Sequence, residues 1–176
     1  VTWVIEGDLV KCFDSLPHQV ILNCLRKRIK DERFIDLIRL MLQAGVMEDQ
    51  RYEKTYSGTP QGGLCSPILM NVVLHEFAHQ LDQEDGTADG APILEHRSRY
   101  SEWARVLSAE YEVLQKKKKK RRRSVMNKYG ATNPAEFFAV VTETFFEKPK
   151  QMKKKHPELY EELRDYYKLD PVEWLS

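Results

Sequence analysis

Apolar residues recur at helical spacing along most of the chain. Gly45 is placed to end one apolar stripe, Ser66 can cap the next with Pro67 in its first turn, and Asn133-Pro134 is a typical helix start. Aromatic residues continue the same spacing towards the end of the chain, as is usual for a packed core. The stripes predict helices over residues 18–30, 31–44, 66–82, 98–115, 134–146 and 157–168.

Two short segments show β patterns instead. Residues 2–9 are rich in β-branched and aromatic side chains and predict a buried strand that ends at Asp8. The polar stretch from Glu48 to Tyr56, with interleaved tyrosines, predicts a hairpin arm. The sequence therefore predicts an α+β chain that is mostly α-helical.

Composition adds little to this picture. The 28 Lys and Arg residues balance 27 Asp and Glu, so the net charge of +1 gives no overall preference for nucleic acid or for a membrane surface. The three cysteines, Cys12, Cys24 and Cys65, form no closely spaced pair and indicate free thiols in a reducing compartment. No apolar run approaches the roughly 20 residues that span a bilayer, so we expect a cytoplasmic protein without a membrane partner.

The strongest chemical signal is the pattern His75-Glu76-Phe77-Ala78-His79 inside the third predicted helix. Residues four apart lie one turn apart on one helix face, so both imidazoles can bind one metal ion. Glu76 is rotated off that face, which suits a carboxylate that acts as general base on a water molecule. This HExxH pattern is typical of zinc peptidases, and it predicts His75 and His79 as ligands of Zn2+.

A catalytic zinc site takes three protein ligands and leaves one position open, so a third ligand has to come from elsewhere. Glu136 lies in the first turn of a predicted helix, a position compatible with such a role. Glu143 on the same stripe is interpreted as a surface charge or a support for a ligand. Asp82 either orients the His79 imidazole from behind or is an exposed carboxylate near the helix end. His96 and His156 have no partner at metal spacing and are predicted to be surface residues.

Residues 1 to about 74 resemble the palm of a group II intron reverse transcriptase. The motif from Ile5 to Asp14 resembles the first catalytic-aspartate motif of that family, and residues 57–67 resemble the loop and helix start that contact template and nucleotide. The resemblance implies that Asp8 binds Mg2+, that Phe13 rejects a ribose 2′-hydroxyl, and that Gln61 and Gly62 belong to the nucleotide site. We expect residues 1–71 to form a partial palm domain.

Polymerase chemistry needs a second source of carboxylates, which the family supplies in an aromatic-Ala-Asp-Asp hairpin. This chain contains no Asp-Asp pair. The first segment is therefore interpreted as a vestigial polymerase that keeps structure without activity. The alternative is a fragment of an intron-encoded RNA-directed DNA polymerase that still binds RNA or DNA, with Mg2+ as its metal.

From about residue 72 to 176 the chain resembles the Mlc titration factor A type of zinc-dependent peptidase. The resemblance is carried by residues 73–82, 85–92 and 129–140 and by Asp170-Pro171. It implies a gluzincin-like catalytic domain over residues 72–176, without the N-terminal part of that family. It also assigns Glu136 as the third zinc ligand and Tyr129 as a hydrogen-bond donor to the substrate oxyanion.

This second resemblance implies a zinc metallopeptidase with aminopeptidase-like cleavage of short peptide substrates. It further implies a transcriptional repressor of sugar-uptake genes as a protein partner. A third interpretation is an inactive hybrid, since each part lacks segments that its family uses to bury a core.

Eight consecutive cations, Lys116 to Arg123, follow the predicted helix over residues 98–115. Such a run is either a solvated helix end and loop or a contact for nucleic acid or another anionic surface. The solvated helix end is the interpretation that the near-zero net charge favours.

Overall fold

The computed structural model describes residues 16–48, 51–53, 55, 57–59 and 65–175. The chain divides into two compact units, Val1–Val73 and Leu74–Ser176. Each unit has its own cluster of buried apolar side chains.

The first unit contains two helices, α1 (His18–Arg26) and α2 (Glu32–Gln43), followed by a two-stranded antiparallel hairpin of β1 (Val46–Glu48) and β2 (Arg51–Glu53). Asp31 caps α2 by accepting a hydrogen bond from the Arg33 amide, which satisfies one of the unpaired donors at a helix start. Gly45 follows α2 with a φ of 74°, a left-handed conformation that glycine adopts without steric cost. Both ends of α2 thus follow from local sequence signals.

Only one side of the predicted apolar stripes enters the core of this unit. Residues of α1 and α2 pack together with the start of helix α3 (Ser66–Asp82), which begins in this unit. The opposite side of α2 leaves large apolar side chains exposed, so four of the seven large apolar residues of this helix face outwards. The buried set is Ile21, Leu22, Leu25, Ile35, Ile38, Leu42 and Leu69, and the exposed set on α2 is Phe34, Leu37, Leu40 and Met41.

The second unit contains the remaining helices. After the end of α3 come α4 (Arg99–Lys119), a 3-10 helix (Lys128–Ala131), α5 (Pro134–Glu147), α6 (Pro149–Lys155), α7 (Pro157–Tyr167) and a second 3-10 helix (Glu173–Leu175).

Helix α5 is the centre of this unit. It contacts the first 3-10 helix, α4, α6 and α7, and most of its side chains are buried. Trp103 of α4 packs edge-on against Phe138 of α5, and its indole N–H donates to the carbonyl of Gly90. A helix that is apolar on nearly all sides must be enclosed by its neighbours, and α5 therefore holds a fixed position from which its polar residues can project.

The predicted α+β class is wrong for the described residues. Helices make up nearly all of their regular structure, and the one sheet among them is a hairpin with three residues in each strand. The hairpin overlaps the predicted arm, residues 48–56, through Glu48 and β2, although β1 already begins at Val46. It is too small to be a palm sheet. The strand predicted over residues 2–9 lies outside the described residues. None of the described helices is both long and apolar enough to cross a membrane.

Candidate metal centre

Helix α3 places His75 and His79 side by side. The two residues are one turn apart, their ring centroids are 4.7 Å apart, and their Nε2 atoms are separated by 3.2 Å. His75 is buried and His79 is half-buried, so both nitrogens lie in a partly shielded position. The convergence of the two imidazoles follows from helical spacing alone.

Helix α5 adds Glu136 to this pair. The Asn133 side chain accepts a hydrogen bond from the Glu136 amide at 2.8 Å, so the cap that starts the helix also fixes this residue in its first turn. Glu136 Oε2 lies 3.0 Å from His75 Nε2 and 3.5 Å from His79 Nε2. Residues separated by some sixty positions in sequence therefore share one site.

The three atoms fit a metal ion of the zinc type. His75, His79 and Glu136 form the cluster of potential metal ligands found among the described residues, with the ligand atoms all within 4.8 Å of one another. A tetrahedral zinc ion with bonds of about 2.0–2.1 Å separates neighbouring ligand atoms by about 3.3–3.4 Å, close to the observed 3.0, 3.2 and 3.5 Å. Two imidazoles and one carboxylate are also a donor set that zinc uses in hydrolases.

Glu143 lies behind His75. Its Oε1 atom is 2.6 Å from His75 Nδ1, and its side chain is mostly shielded from solvent. A carboxylate in this position accepts the Nδ1 proton and leaves the lone pair of Nε2 directed at Glu136 and His79. Of the two interpretations made from sequence, the contact matches a support for a ligand.

Tyr129, in the first 3-10 helix, reaches the same site. Its hydroxyl donates to Glu136 Oε1 at 3.0 Å, and its backbone amide donates to the Asn127 side chain, which caps this short helix. The residue is 42% exposed. Whether it contacts a substrate stays a prediction.

Glu76 follows His75 in α3, and its side chain is 8% exposed. In an HExxH pattern the carboxylate next to the first histidine is the general base of a metalloprotease. Its role as general base is likewise a prediction.

Asp82 is fully buried at the end of α3. It accepts a hydrogen bond of 2.7 Å from the Gly90 amide, and burial raises the pKa of its carboxyl while this bond opposes the shift. Gly90 has a φ of 81°, and a Cβ there would lie 2.7 Å from the Pro134 carbonyl oxygen. Asp82 therefore holds the 83–90 loop tightly against the start of α5, and the alternative of an exposed carboxylate is wrong. Its predicted action on His79 stays a prediction.

Sequence reasoning also missed a hydrogen bond of a buried histidine. His156 was predicted to be a surface residue, but it is 3% exposed and its Nδ1 atom lies 2.7 Å from Glu110 Oε2. The prediction is wrong because the two residues meet only when α4 packs beside the junction of α6 and α7. His96 is exposed, as expected. The polymerase-site residues Asp8, Phe13, Gln61 and Gly62 lie outside the described residues.

Comparison with known proteins gives two overlapping matches. Residues 63–168 match the family described as glucose-regulated metallo-peptidase M90. The Mlc titration factor A of Edwardsiella ictaluri is 33% identical over 108 residues, which are 60% of this chain and 41% of that protein.

Residues 1–96 match the family described as reverse transcriptase (RNA-dependent DNA polymerase). An uncharacterized protein of Synechocystis sp. is 49% identical over 102 residues, 58% of this chain and 37% of that protein. The group II intron-encoded protein LtrA of Lactococcus lactis subsp. cremoris is 47% identical over 75 residues, 43% of this chain and 12% of that protein. The chain thus spans less than half of the length of each of these relatives.

Proposed function

We propose that this chain, which belongs to the glucose-regulated metallo-peptidase M90 family through residues 63–168 and to the reverse transcriptase family through residues 1–96, is a zinc-dependent peptidase. The convergence of His75, His79 and Glu136 supports this proposal most directly. We further propose that residues 1–71 and residues 72–176 form two domains, and that the second domain carries the peptidase activity. The family match supports a metal-dependent peptidase, and the choice of zinc rests on the donor set.

His75, His79 and Glu136 would hold the metal, with Glu143 fixing the orientation of the His75 ring. Bound zinc supplies a Lewis acid that makes a water molecule more acidic and polarises the peptide carbonyl. Every further step falls to side chains of the chain itself.

Glu76 takes the proton of the attacking water and passes it to the leaving amine, as a general base and then a general acid. Tyr129 donates its hydroxyl hydrogen to the substrate carbonyl oxygen as that oxygen gains negative charge. The hydrogen bond that Tyr129 now makes to Glu136 keeps the hydroxyl within the site. The two residues thereby divide proton transfer and charge stabilisation between them.

The substrate class and the partner rest on resemblance. We propose aminopeptidase-like hydrolysis of short peptides, and a transcriptional repressor as a protein partner. The likeness to Mlc titration factor A, 33% identical over 108 residues, is the support for both.

The reverse transcriptase match supports a second candidate function, a nucleic-acid-binding fragment without polymerase activity. The segment around Asp8 resembles the first catalytic-aspartate motif, but the chain has no Asp-Asp pair with which to complete a two-metal site. Binding to structured RNA that weakens with salt would favour this function, and Mg2+ would then be the metal to test.

Metal analysis of the purified chain tests the peptidase proposal. We expect about one zinc per chain, loss of zinc in His79→Ala and in Glu136→Ala, and full zinc in the control His96→Ala, whose residue is exposed. Glu76→Gln should keep the zinc and lose hydrolysis of short peptide substrates. A wild-type chain that takes up no zinc from solution, or a Glu76→Gln variant with unchanged hydrolysis, would overturn the proposal.

A further inference from the structure

The basic segment, Lys116–Arg123, is a separate charged surface of the second unit. Its first four residues form the last turn of α4, and the other four lie in the loop that follows. Residues 118–123 are all exposed. Within the described part of the chain, the one ion pair of this segment joins Lys116 to Glu112 at 3.1 Å.

The charge of the segment contrasts with the rest of the chain. It holds eight of the 28 Lys and Arg residues, so all other positions together carry 20 cations against 27 acidic residues. The segment concentrates positive charge on a chain whose other residues are net acidic. Polyanions are therefore attracted to this segment rather than to the molecule as a whole.

Arg121 follows the end of helix α4, at a position where glycine is usually found. The Arg122 amide donates to the Lys117 carbonyl at 3.0 Å and the Arg121 amide to the Lys118 carbonyl at 3.2 Å, which is the Schellman pattern. Arg121 has a φ of 49°, in the left-handed region that a residue with a Cβ adopts at a cost. The segment therefore carries charge where a neutral glycine would be more stable.

The directions of these side chains distinguish between anionic partners. Successive residues of a helix point about 100° apart, so residues 116–119 project to several sides of α4, and the loop continues beyond its end. A flat bilayer surface or a rigid protein face could meet only one of those sides. A flexible strand of phosphates can wind around the helix end and contact most of the cations, and arginines add bidentate phosphate contacts.

We propose that the basic segment binds the phosphate backbone of single-stranded nucleic acid without sequence specificity. This proposal is independent of the metal centre, and it assigns to the second unit a nucleic-acid contact that does not require the reverse transcriptase match. It also replaces the interpretation of the run as a merely solvated helix end.

The test measures binding of the full chain to a fluorescein-labelled single-stranded 20-nucleotide RNA by anisotropy, at several salt concentrations. The variant Lys118→Gln/Lys119→Gln is compared with Lys154→Gln/Lys155→Gln. Both pairs are exposed lysines in the last turn of a helix, so net charge changes equally and only position differs.

We expect the first variant to bind about ten-fold more weakly at low salt, with a salt slope smaller by about 1.4, since each lost single-strand contact removes about 0.7. The control should bind within about two-fold of wild type. Equal weakening in both variants, or none in either, would overturn the proposal. So would tighter binding of the chain to phosphatidylserine vesicles or to poly-glutamate than to RNA.

Arg121→Gly separates binding from folding. Glycine relieves the left-handed strain, so the thermal midpoint should rise while RNA binding weakens about two- to five-fold through loss of one phosphate contact. Binding that is unchanged or tighter in this variant would contradict the assignment of Arg121 to the surface.

Discussion

The Nδ1 atom of His75 lies 2.6 Å from Oε1 of Glu143. Glu143 lies in α5, two helical turns after the candidate ligand Glu136. One buried helix thus supplies both a ligand and the carboxylate that orients another ligand. Because α5 is enclosed by its neighbours, the two carboxylates keep a fixed separation. The geometry of the site therefore depends on how α3 and α5 pack, not on flexible loops.

Replacing Glu143 by Gln should weaken zinc binding without unfolding the chain. The amide can still contact His75 Nδ1, but it does not increase the basicity of the imidazole as a carboxylate does, so we expect a 10- to 100-fold loss of zinc affinity. Competition with a chelating dye measures the affinity, and circular dichroism checks the fold.

The control for this prediction is Glu147→Gln, one turn further along α5, where the side chain pairs with Lys148 at the surface. It should leave zinc affinity unchanged. A Glu143→Gln variant that binds zinc as tightly as wild type would show that the contact to His75 does not tune the ligand.

Two features of the candidate metal site are locally encoded in the sequence. Helical spacing brings His75 and His79 together, and the Asn133 cap fixes where Glu136 stands in its helix. That the two helices meet came from family resemblance and not from periodicity. No local pattern indicates that His75 Nδ1 contacts Glu143, since this depends on the rotation of α3 against α5.

Asp82 gives a second prediction, through the pair Asp82→Asn and Asp82→Ala. Asn can still accept the hydrogen bond of the Gly90 amide and removes a buried charge, so its stability should stay close to wild type. Ala leaves that buried amide without its acceptor, at a cost of about 1–3 kcal/mol. Urea unfolding followed by tryptophan fluorescence measures both variants.

Zinc affinity in the Asp82→Asn variant tests the orienting role predicted from the sequence. If Asp82 acts only on the loop, affinity should change by less than about three-fold. A loss in the 10- to 100-fold range expected for a ligand support would instead confirm that Asp82 orients His79.

The sequence predicts less well which faces of a helix are buried and which fold class the helices and strands form. Phe34 and Leu37 fit a helical stripe, yet their side chains are exposed, because periodicity marks an apolar face without showing what covers it. The α+β class rests on the β patterns of residues 2–9 and 48–56, whereas the described residues are almost entirely helical. The starts of the six predicted helices agree with the structure to within one residue, because caps such as Asp31 and Asn133 act within a few residues. Helix α6 is not among the predicted helices.

Asp170 should stabilise the second unit near neutral pH, and this stabilisation should be lost in acid. Burial alone would raise the pKa of its carboxyl, but hydrogen bonds from the Tyr160 hydroxyl and the Val172 amide, together with Lys153, outweigh burial and lower the pKa. The folded chain then binds a proton less readily than the unfolded one. This contribution is present above the unfolded pKa of about 3.9 and is lost as pH falls through the lower folded pKa.

We therefore expect Asp170→Asn to be less stable than wild type at pH 6, with a difference that shrinks as the pH falls below about 4. Urea unfolding at pH 6 and pH 3 checks this. Asp165→Asn, at a more exposed carboxylate, serves as the control and should show a smaller effect at pH 6. A difference that grows towards pH 3 would contradict the sign.

The His156–Glu110 pair gives the last prediction, because α4 carries a matched exposed pair nearby. Glu110→Ala leaves the buried His156 Nδ1 without its partner, whereas Glu112→Ala removes an exposed ion pair to Lys116. We expect Glu110→Ala to lower the free energy of unfolding by about 1–3 kcal/mol and Glu112→Ala by less than about 1 kcal/mol. Both changes remove one carboxylate from α4, so helix propensity and net charge change alike. If both variants lose the same free energy of unfolding, the buried contact between His156 and Glu110 stabilises the chain no more than the exposed pair of Glu112 and Lys116 does.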